Sequence, residues 1–379
     1  MKKVFYLGLI GLFLFEIANV YFIMPMPGSQ EMKSLDTAYF LYSWRWLFRI
    51  LFSVLLLIGF AKSTWKKKWI PLLFILICSI ATYFINFQMA ADHMFYQPNS
   101  LLLKPATENK VDSNRLVIGI VINEQAKAYP IQFIGYHHLV MDSLAGKPIL
   151  VTYCTVCRTG RIFEPTVNGK PAKFRLVGMD HFNAMFEDLA TKSWWRQATG
   201  EAVTGPLKGE QLPELLSVQT SLSDWLRLYP QSLVMQADPT YQNNYDSTFK
   251  YESGKSKKKL TGTDSLSWNK KSWVVGITLG KFSKAYDWNR LLKERLIVDT
   301  LANKNILLVI GKNNQSFFAL EINDTTEQFT LLNDRLISNK TNYSISGKSI
   351  SNVSHLKQIP AYQEFWHSWK TFHPNTSTY

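Results

Sequence analysis

The sharpest chemical signal in this 379-residue chain is Thr152-Tyr-Cys154-Thr-Val-Cys157-Arg-Thr-Gly160. Two cysteines separated by two residues can close a small disulfide, exchange it as a redox couple, or supply two ligands to a metal. The remaining cysteine, Cys78, falls in an apolar stretch and reads as an inert small residue. Three cysteines build no disulfide framework. Arg158 and Arg161 flank the pair, and cations favour the thiolate on which thiol chemistry depends. His137 and His138 stand upstream as candidate proton shuttles. In a metal reading, Cys154, Cys157 and His137 would suit copper or zinc; in the redox reading no cofactor is needed. Trp195 and Gln197, in Lys192-Ser-Trp-Trp-Arg-Gln197-Ala-Thr-Gly200, are candidates for the wall of a substrate pocket, together with Tyr153. No Ser-His-Asp elbow, phosphate-cradling glycine loop or paired-carboxylate motif stands out. A structural staple is the third reading of the pair.

The elements around the pair place it in a hairpin. Pro148–Tyr153 is a strand-like run, Arg161 starts another, and Gly160 ends the loop between them. The pair does not open a long helix. Leu116–Cys154 recurs without gaps as Trp273–Gly311, 157 residues later, with 13 of 39 positions identical. Trp225-Leu-Arg-Leu-Tyr-Pro230 is echoed by Trp369-Lys-Thr-Phe-His-Pro374. Two copies are too few for a solenoid. Gly119, Ala128, Tyr129, Asp142 and Leu144 survive as Gly276, Ala285, Tyr286, Asp299 and Leu301, whereas Cys154 becomes Gly311 and His137-His138 becomes Glu294-Arg295. The first copy therefore carries the chemistry, and the second reads as a degenerate partner. Ile131–Asp142, Asp180–Leu189 and Leu222–Tyr229 read as helical, and 241–272 reads as a solvated linker rich in Lys, Ser and Gly.

Charged residues make up 18% of the chain, below the roughly 25% of soluble domains, and the deficit lies in the first 91 residues. Three apolar stretches there, about 4–24, 39–61 and 69–91, are long enough to cross a bilayer. Glu16 interrupts the first, and no small-residue cleavage site follows it, so it reads as retained. Lys2, Lys3 and the Lys62–Lys68 loop mark the cytoplasmic side. The expected location is the cytoplasmic (inner) membrane, multi-pass, N-terminus inside and C-terminal domain extracytoplasmic. Arg45 and Arg49 lie four apart in the second stretch, and pairing with Glu16 or snorkelling accounts for them. The net charge of +14 splits into +6 over residues 1–91 and +8 over the rest. No dense basic stripe with interleaved aromatics appears, so nucleic acid is not an expected partner. The expected partners are the lipid bilayer and an unidentified thiol or small molecule.

Ile118-Gly-Ile, Lys127-Ala-Tyr-Pro130, His137…Asp142, the Cys154–Cys157 motif, Ser193-Trp-Trp-Arg-Gln197-Ala-Thr-Gly200-Glu-Ala-Val and Trp225…Pro230 occur in order. The set resembles the domain-of-unknown-function family numbered 3179, over roughly residues 100–379. The resemblance implies no settled activity. Some members are described as selenoproteins, with selenocysteine in the motif matching Cys154–Cys157, which implies thiol redox chemistry. The chain departs from the family where His138, Met141 and Thr155 stand in place of a usual Glu, Asn and Pro. The expected fold is strand-dominated α+β: two related lobes from an internal duplication, at 104–240 and 273–379, behind a three-helix membrane anchor at 1–95.

Overall fold

The computed structural model describes residues 1–324, 326–351 and 355–379. It divides into two compact units. Met1–Tyr96, Lys173–Arg196 and Glu201–Gln211 form one; Gln97–Ala172, Gln197–Gly200 and Leu212–Tyr379 form the other. These limits cut across the expected lobes. The 104–240 segment is split because 173–211 has its apolar residues in common with the N-terminal helices. Val177, Met185, Trp194 and Val203 bury against Ile23 and Ala38, and Tyr39 and Tyr42 meet the Trp194 ring edge-on. The helix expected at Asp180–Leu189 is absent. The strands Phe174–Asp180 and Asn183–Asp188 pair there instead, turning at His181-Phe182 with both residues left-handed. Cross-strand burial of Ala184 and Phe186 outweighs the local helical pattern.

In the helical unit, Lys2–Tyr21 and Trp69–Gln88 are long and apolar enough to cross a membrane. Leu35–Ser43 and Arg45–Ala61 form a pair bent by 60°, which makes a third crossing if the two act as one span. Helix 45–61 packs antiparallel on helix 2–21. A Cβ on Gly59 would lie 2.2 Å from the Phe5 nitrogen, and one on Gly8 would lie 2.4 Å from the Leu56 nitrogen. Only a residue without a side chain permits that approach. Further along, Arg49 grips Glu16 with bonds of 2.8 and 2.9 Å.

The strand-rich unit repeats its elements at the 157-residue offset. Strands Leu116–Ile122 and Trp273–Leu279 correspond, as do Gln125–Pro130 and Phe282–Asp287. Helices Ile131–His137 and Trp288–Glu294 follow, then strands Leu139–Leu144 and Leu296–Leu301. Gly119 pairs with Ala128, and Gly276 with Ala285. Each glycine lies flat under a tryptophan. A Cβ would come within 2.2 Å of Trp225 in one case and 2.1 Å of Trp369 in the other. Each indole N–H bonds a hydroxyl seven residues on, Ser232 at 2.7 Å and Thr376 at 2.9 Å. Asp142 accepts from Tyr129 and Lys127, and Asp299 accepts from Tyr286 and Lys284.

Two local expectations change. The helix expected to run to Asp142 stops at His137, because His138 adopts a left-handed conformation (φ 60°) that ends it and turns the chain into the next strand. The 241–272 segment is anchored. Glu252 is buried, ion-paired with Arg115 and accepting the Leu116 N–H at 2.9 Å. Only its lysine run had the character of a solvated spacer; Tyr245, Glu252 and Ser272 are buried.

Replacing Gly119 with alanine should destabilise the protein by about 1–3 kcal/mol, since the new methyl must displace a fully buried indole. Gly276→Ala should cost a similar amount. Denaturant unfolding of the detergent-solubilised chain measures both, and wild-type midpoints would refute the packing argument.

Candidate functional site

Strand Lys147–Cys154 pairs with Thr159–Phe163, and Cys154 lies opposite Thr159. The intervening turn brings Cys157 back beside Cys154. Both side chains are completely buried, and all three cysteines of the chain are thiols. The Cys154 side chain hydrogen-bonds the Cys157 thiol. Burial, with that bond, pushes the Cys157 thiol well above its ordinary range, while Ser368 and the Lys271 ammonium act in the opposite sense. Burial in turn lowers Lys271, and the two sulfurs oppose that. Its Nζ donates to the carbonyls of Val156 at 2.7 Å and Leu260 at 2.6 Å, tying the 241–272 segment to the cysteine turn. The Phe365 N–H donates to the Cys157 carbonyl at 2.9 Å. Ser368 donates to Glu364 at 3.0 Å, and Glu364 meets Arg161 at 2.5 Å. The turn is thus enclosed by residues from the second half of the chain.

The sequence-selected residues divide. Gln197 belongs to the site: its amide donates to Thr152 Oγ1 at 3.0 Å and to the Thr159 carbonyl at 2.9 Å, fixing the two strands next to the cysteine turn. Trp195 does not join it. It falls in the helical unit, where its indole donates to Asp188 at 2.9 Å and its ring meets Phe174. Tyr153 points to the opposite face from Cys154, because side chains alternate along a strand. It packs in the core and its hydroxyl lies 3.0 Å from that of Tyr251. Arg158 directs its guanidinium to Gln363 and the Tyr251 carbonyl, against the Trp273 ring. Lys271 supplies the cation acting on Cys157.

The two histidines have other tasks. His137 Nε2 lies 2.8 Å from the Tyr245 hydroxyl. His138 Nδ1 lies 2.8 Å from the Tyr153 carbonyl, which can only accept, so the proton is on Nδ1. Burial lowers the His138 pKa to about 4. In the second copy Arg295 donates to the equivalent Ile310 carbonyl at 3.2 Å. An arginine replaces the imidazole as donor, so this role is structural. Cys154, Cys157 and His137 do not assemble a copper or zinc set, and among the described residues no three His, Cys, Asp or Glu side chains form a metal-binding group.

Lys271 and Ser368 were not selected from the sequence. Lys271 is one lysine among many in its segment, with no motif to single it out. Ser368 carried a faint signal: it precedes Trp369, where the first copy has Asp224 before Trp225.

A model of the family described as Protein of unknown function (DUF3179) matches residues 100–376. No match was found to a curated protein or to a solved structure.

His138 should contribute to acid sensitivity. Its folded pKa of about 4 lies below the ordinary 6.5, so between those values the unfolded chain binds a proton that the folded one refuses. Its contribution is complete above pH 6.5 and is lost as pH falls toward 4. His138→Asn keeps a donor and tolerates the left-handed backbone. Unfolding midpoints across pH 7 to 4 should show a shallower acid limb in this variant, by at most about 1.4 kcal/mol per pH unit. Parallel limbs would contradict the assignment.

Proposed function

The chain belongs to the family described as Protein of unknown function (DUF3179), and we propose that it is a membrane-anchored extracytoplasmic protein whose Cys154–Cys157 dithiol is redox-active. The observation that carries this reading is the hydrogen-bonded thiol pair beside the Lys271 ammonium and the Ser368 hydroxyl. Cys157, the sulfur facing both groups, attacks as thiolate on a partner disulfide. One partner sulfur leaves as a thiol and a mixed disulfide forms. Cys154 then attacks Cys157, closing the intramolecular disulfide and releasing the second partner sulfur. Two electrons and two protons pass from the pair to the partner. Both sulfurs are covered in the dithiol state, so exchange requires the cysteine turn to become exposed to the partner.

The family resemblance supports redox chemistry through members described with selenocysteine in this motif. Complete burial favours a second reading, a non-catalytic envelope protein in which the pair is a structural disulfide staple. Titration of the full chain against defined thiol–disulfide buffers separates them. A redox-active pair gives one two-electron couple, above the roughly −300 mV below which inert structural disulfides lie. Cys154→Ser and Cys157→Ser each abolish it, and Lys271→Met slows exchange by about ten-fold. A pair that stays dithiol in every buffer sinks the redox reading.

The anchor reading has a physical basis. Helix 45–61 packs along helix 2–21 through Gly59 and Gly8, so a bilayer crossed by one is crossed by both. The bent pair then counts as one span, and three crossings leave the Lys62–Lys68 loop inside and residues beyond about 95 outside. The equal offsets and registers of the two halves support their origin by duplication of one unit. A reporter that works only in the cytoplasm, fused after Tyr379, should be silent, and the same reporter placed in the Lys62–Lys68 loop should be active. The reverse pattern overturns the orientation.

A further inference from the structure

A cavity of about 210 Å³ lies in the helical unit, apart from the cysteine site. Its walls come from the end of helix 2–21, the bend at 42–46, the 84–88 turn and the strand Phe174–Asp180. Three arginines and one carboxylate, Asp92, line it. Two of the arginines are satisfied. Arg49 is held by both oxygens of Glu16. Arg175 donates to Glu187 and Asp92 at 3.0 Å each and to the Tyr42 hydroxyl. Arg45 differs: it donates to the Tyr42 carbonyl at 2.5 Å and stacks 3.9 Å from the Tyr42 ring, with no carboxylate in ion-pair range among the described residues.

A second, independent observation comes from Asn19. Its side chain is 4% exposed, and its amide donates to Asn86 Oδ1 at 2.7 Å. Its own Oδ1 accepts nothing. A buried acceptor left without a donor costs about 1–3 kcal/mol, so the cavity asks for a ligand carrying a hydrogen-bond donor as well as an anion for Arg45. Trp46, 57% exposed, stands beside it, as tryptophans do where a bilayer meets water. The basic Lys62–Lys68 loop is at the other end of helix 45–61.

We propose that this cavity holds the headgroup of an anionic glycerophospholipid, its phosphate on Arg45 and a headgroup hydroxyl donating to Asn19 Oδ1. The proposal rests on the membrane reading above, which incorporation of the chain into nanodiscs tests separately. The full chain, released from detergent in a mass spectrometer after exposure to equimolar phosphatidylglycerol and phosphatidylcholine, reports which lipid it retains. One phosphatidylglycerol should be kept with roughly ten-fold preference, because both lipids offer Arg45 a phosphate but the quaternary ammonium of choline sets a second cation beside it. Arg45→Gln should abolish the preference and Arg45→Lys should restore part of it. Asn19→Leu should keep the preference for an anion yet lose the discrimination between phosphatidylglycerol and phosphatidic acid, which lacks the hydroxyl. Arg45→Gln in nanodiscs of phosphatidylcholine alone should unfold at the wild-type temperature, which separates lost binding from lost structure. Three results overturn the proposal. One is a preference that survives Arg45→Gln but falls when Lys66, Lys67 and Lys68 become glutamine. Another is displacement by millimolar glycerol 3-phosphate without any lipid being retained. The third is equal retention of both lipids by the wild type.

Discussion

Two guanidinium groups taken out of water govern the strand-rich unit. Arg158 and Arg161 straddle the loop end of the cysteine hairpin, and both are almost wholly buried. An ion moved into a protein interior costs several kcal/mol unless its charge and its donors are met. Arg161 is met by Glu364 at 2.5 Å, Glu214 at 3.2 Å and the Tyr362 ring at 3.3 Å. Arg158 is met by Gln363, the Tyr251 carbonyl and the Trp273 ring. Half of these partners lie on the strand Ala361–Phe365, about two hundred residues further along the chain. The hairpin that carries the thiols is therefore stable only when the second half is in place. This is why residues from that half, Lys271 and Ser368, sit at the cysteine turn, and why the hairpin and the 273–379 segment fall in one compact unit.

The repeated scaffold separates packing from site. What recurs is what the fold needs: a glycine under a tryptophan, a tyrosine and a lysine on one aspartate, a left-handed residue that stops the helix. What changes lies at the hairpin end, where Cys154 has Gly311 and Tyr153 has Ile310 as counterparts. His138 and Arg295 fall between these classes, since the residue type changes while the donor role to the strand carbonyl stays. A histidine near two cysteines invites a catalytic reading, and the second copy shows how little of its chemistry that position requires.

The legible part of this protein was the part written in local pattern. The hairpin, the apolar stretches, the offset repeat and the helix at Leu222–Leu228 follow from alternation, length and turn residues. Three features were not legible, each for a tertiary reason. Strand 183–188 looked helical because its apolar residues satisfy either period until the pairing partner is known. The 241–272 segment looked solvated because the few residues that anchor it, Glu252 and Lys271 among them, are set among lysines from which no motif distinguishes them. Trp195 and Gln197 are two residues apart and looked like one wall, yet the chain passes from one compact unit to the other between them.

Burial and reactivity are coupled at the thiols through Lys271. Burial raises the Cys157 thiol and lowers the lysine, so desolvation holds both groups toward their neutral forms. The ammonium and the sulfurs favour one another's charged forms, but they must do so against the loss of water. The lysine is also the tie between the turn and the 241–272 segment, through the Val156 and Leu260 carbonyls. Any loosening of that tie would rehydrate the thiol and lessen the burial that suppresses its thiolate. On the redox reading proposed above, access and nucleophilicity would then rise together, since the same burial that hides the sulfurs holds Cys157 in its thiol form.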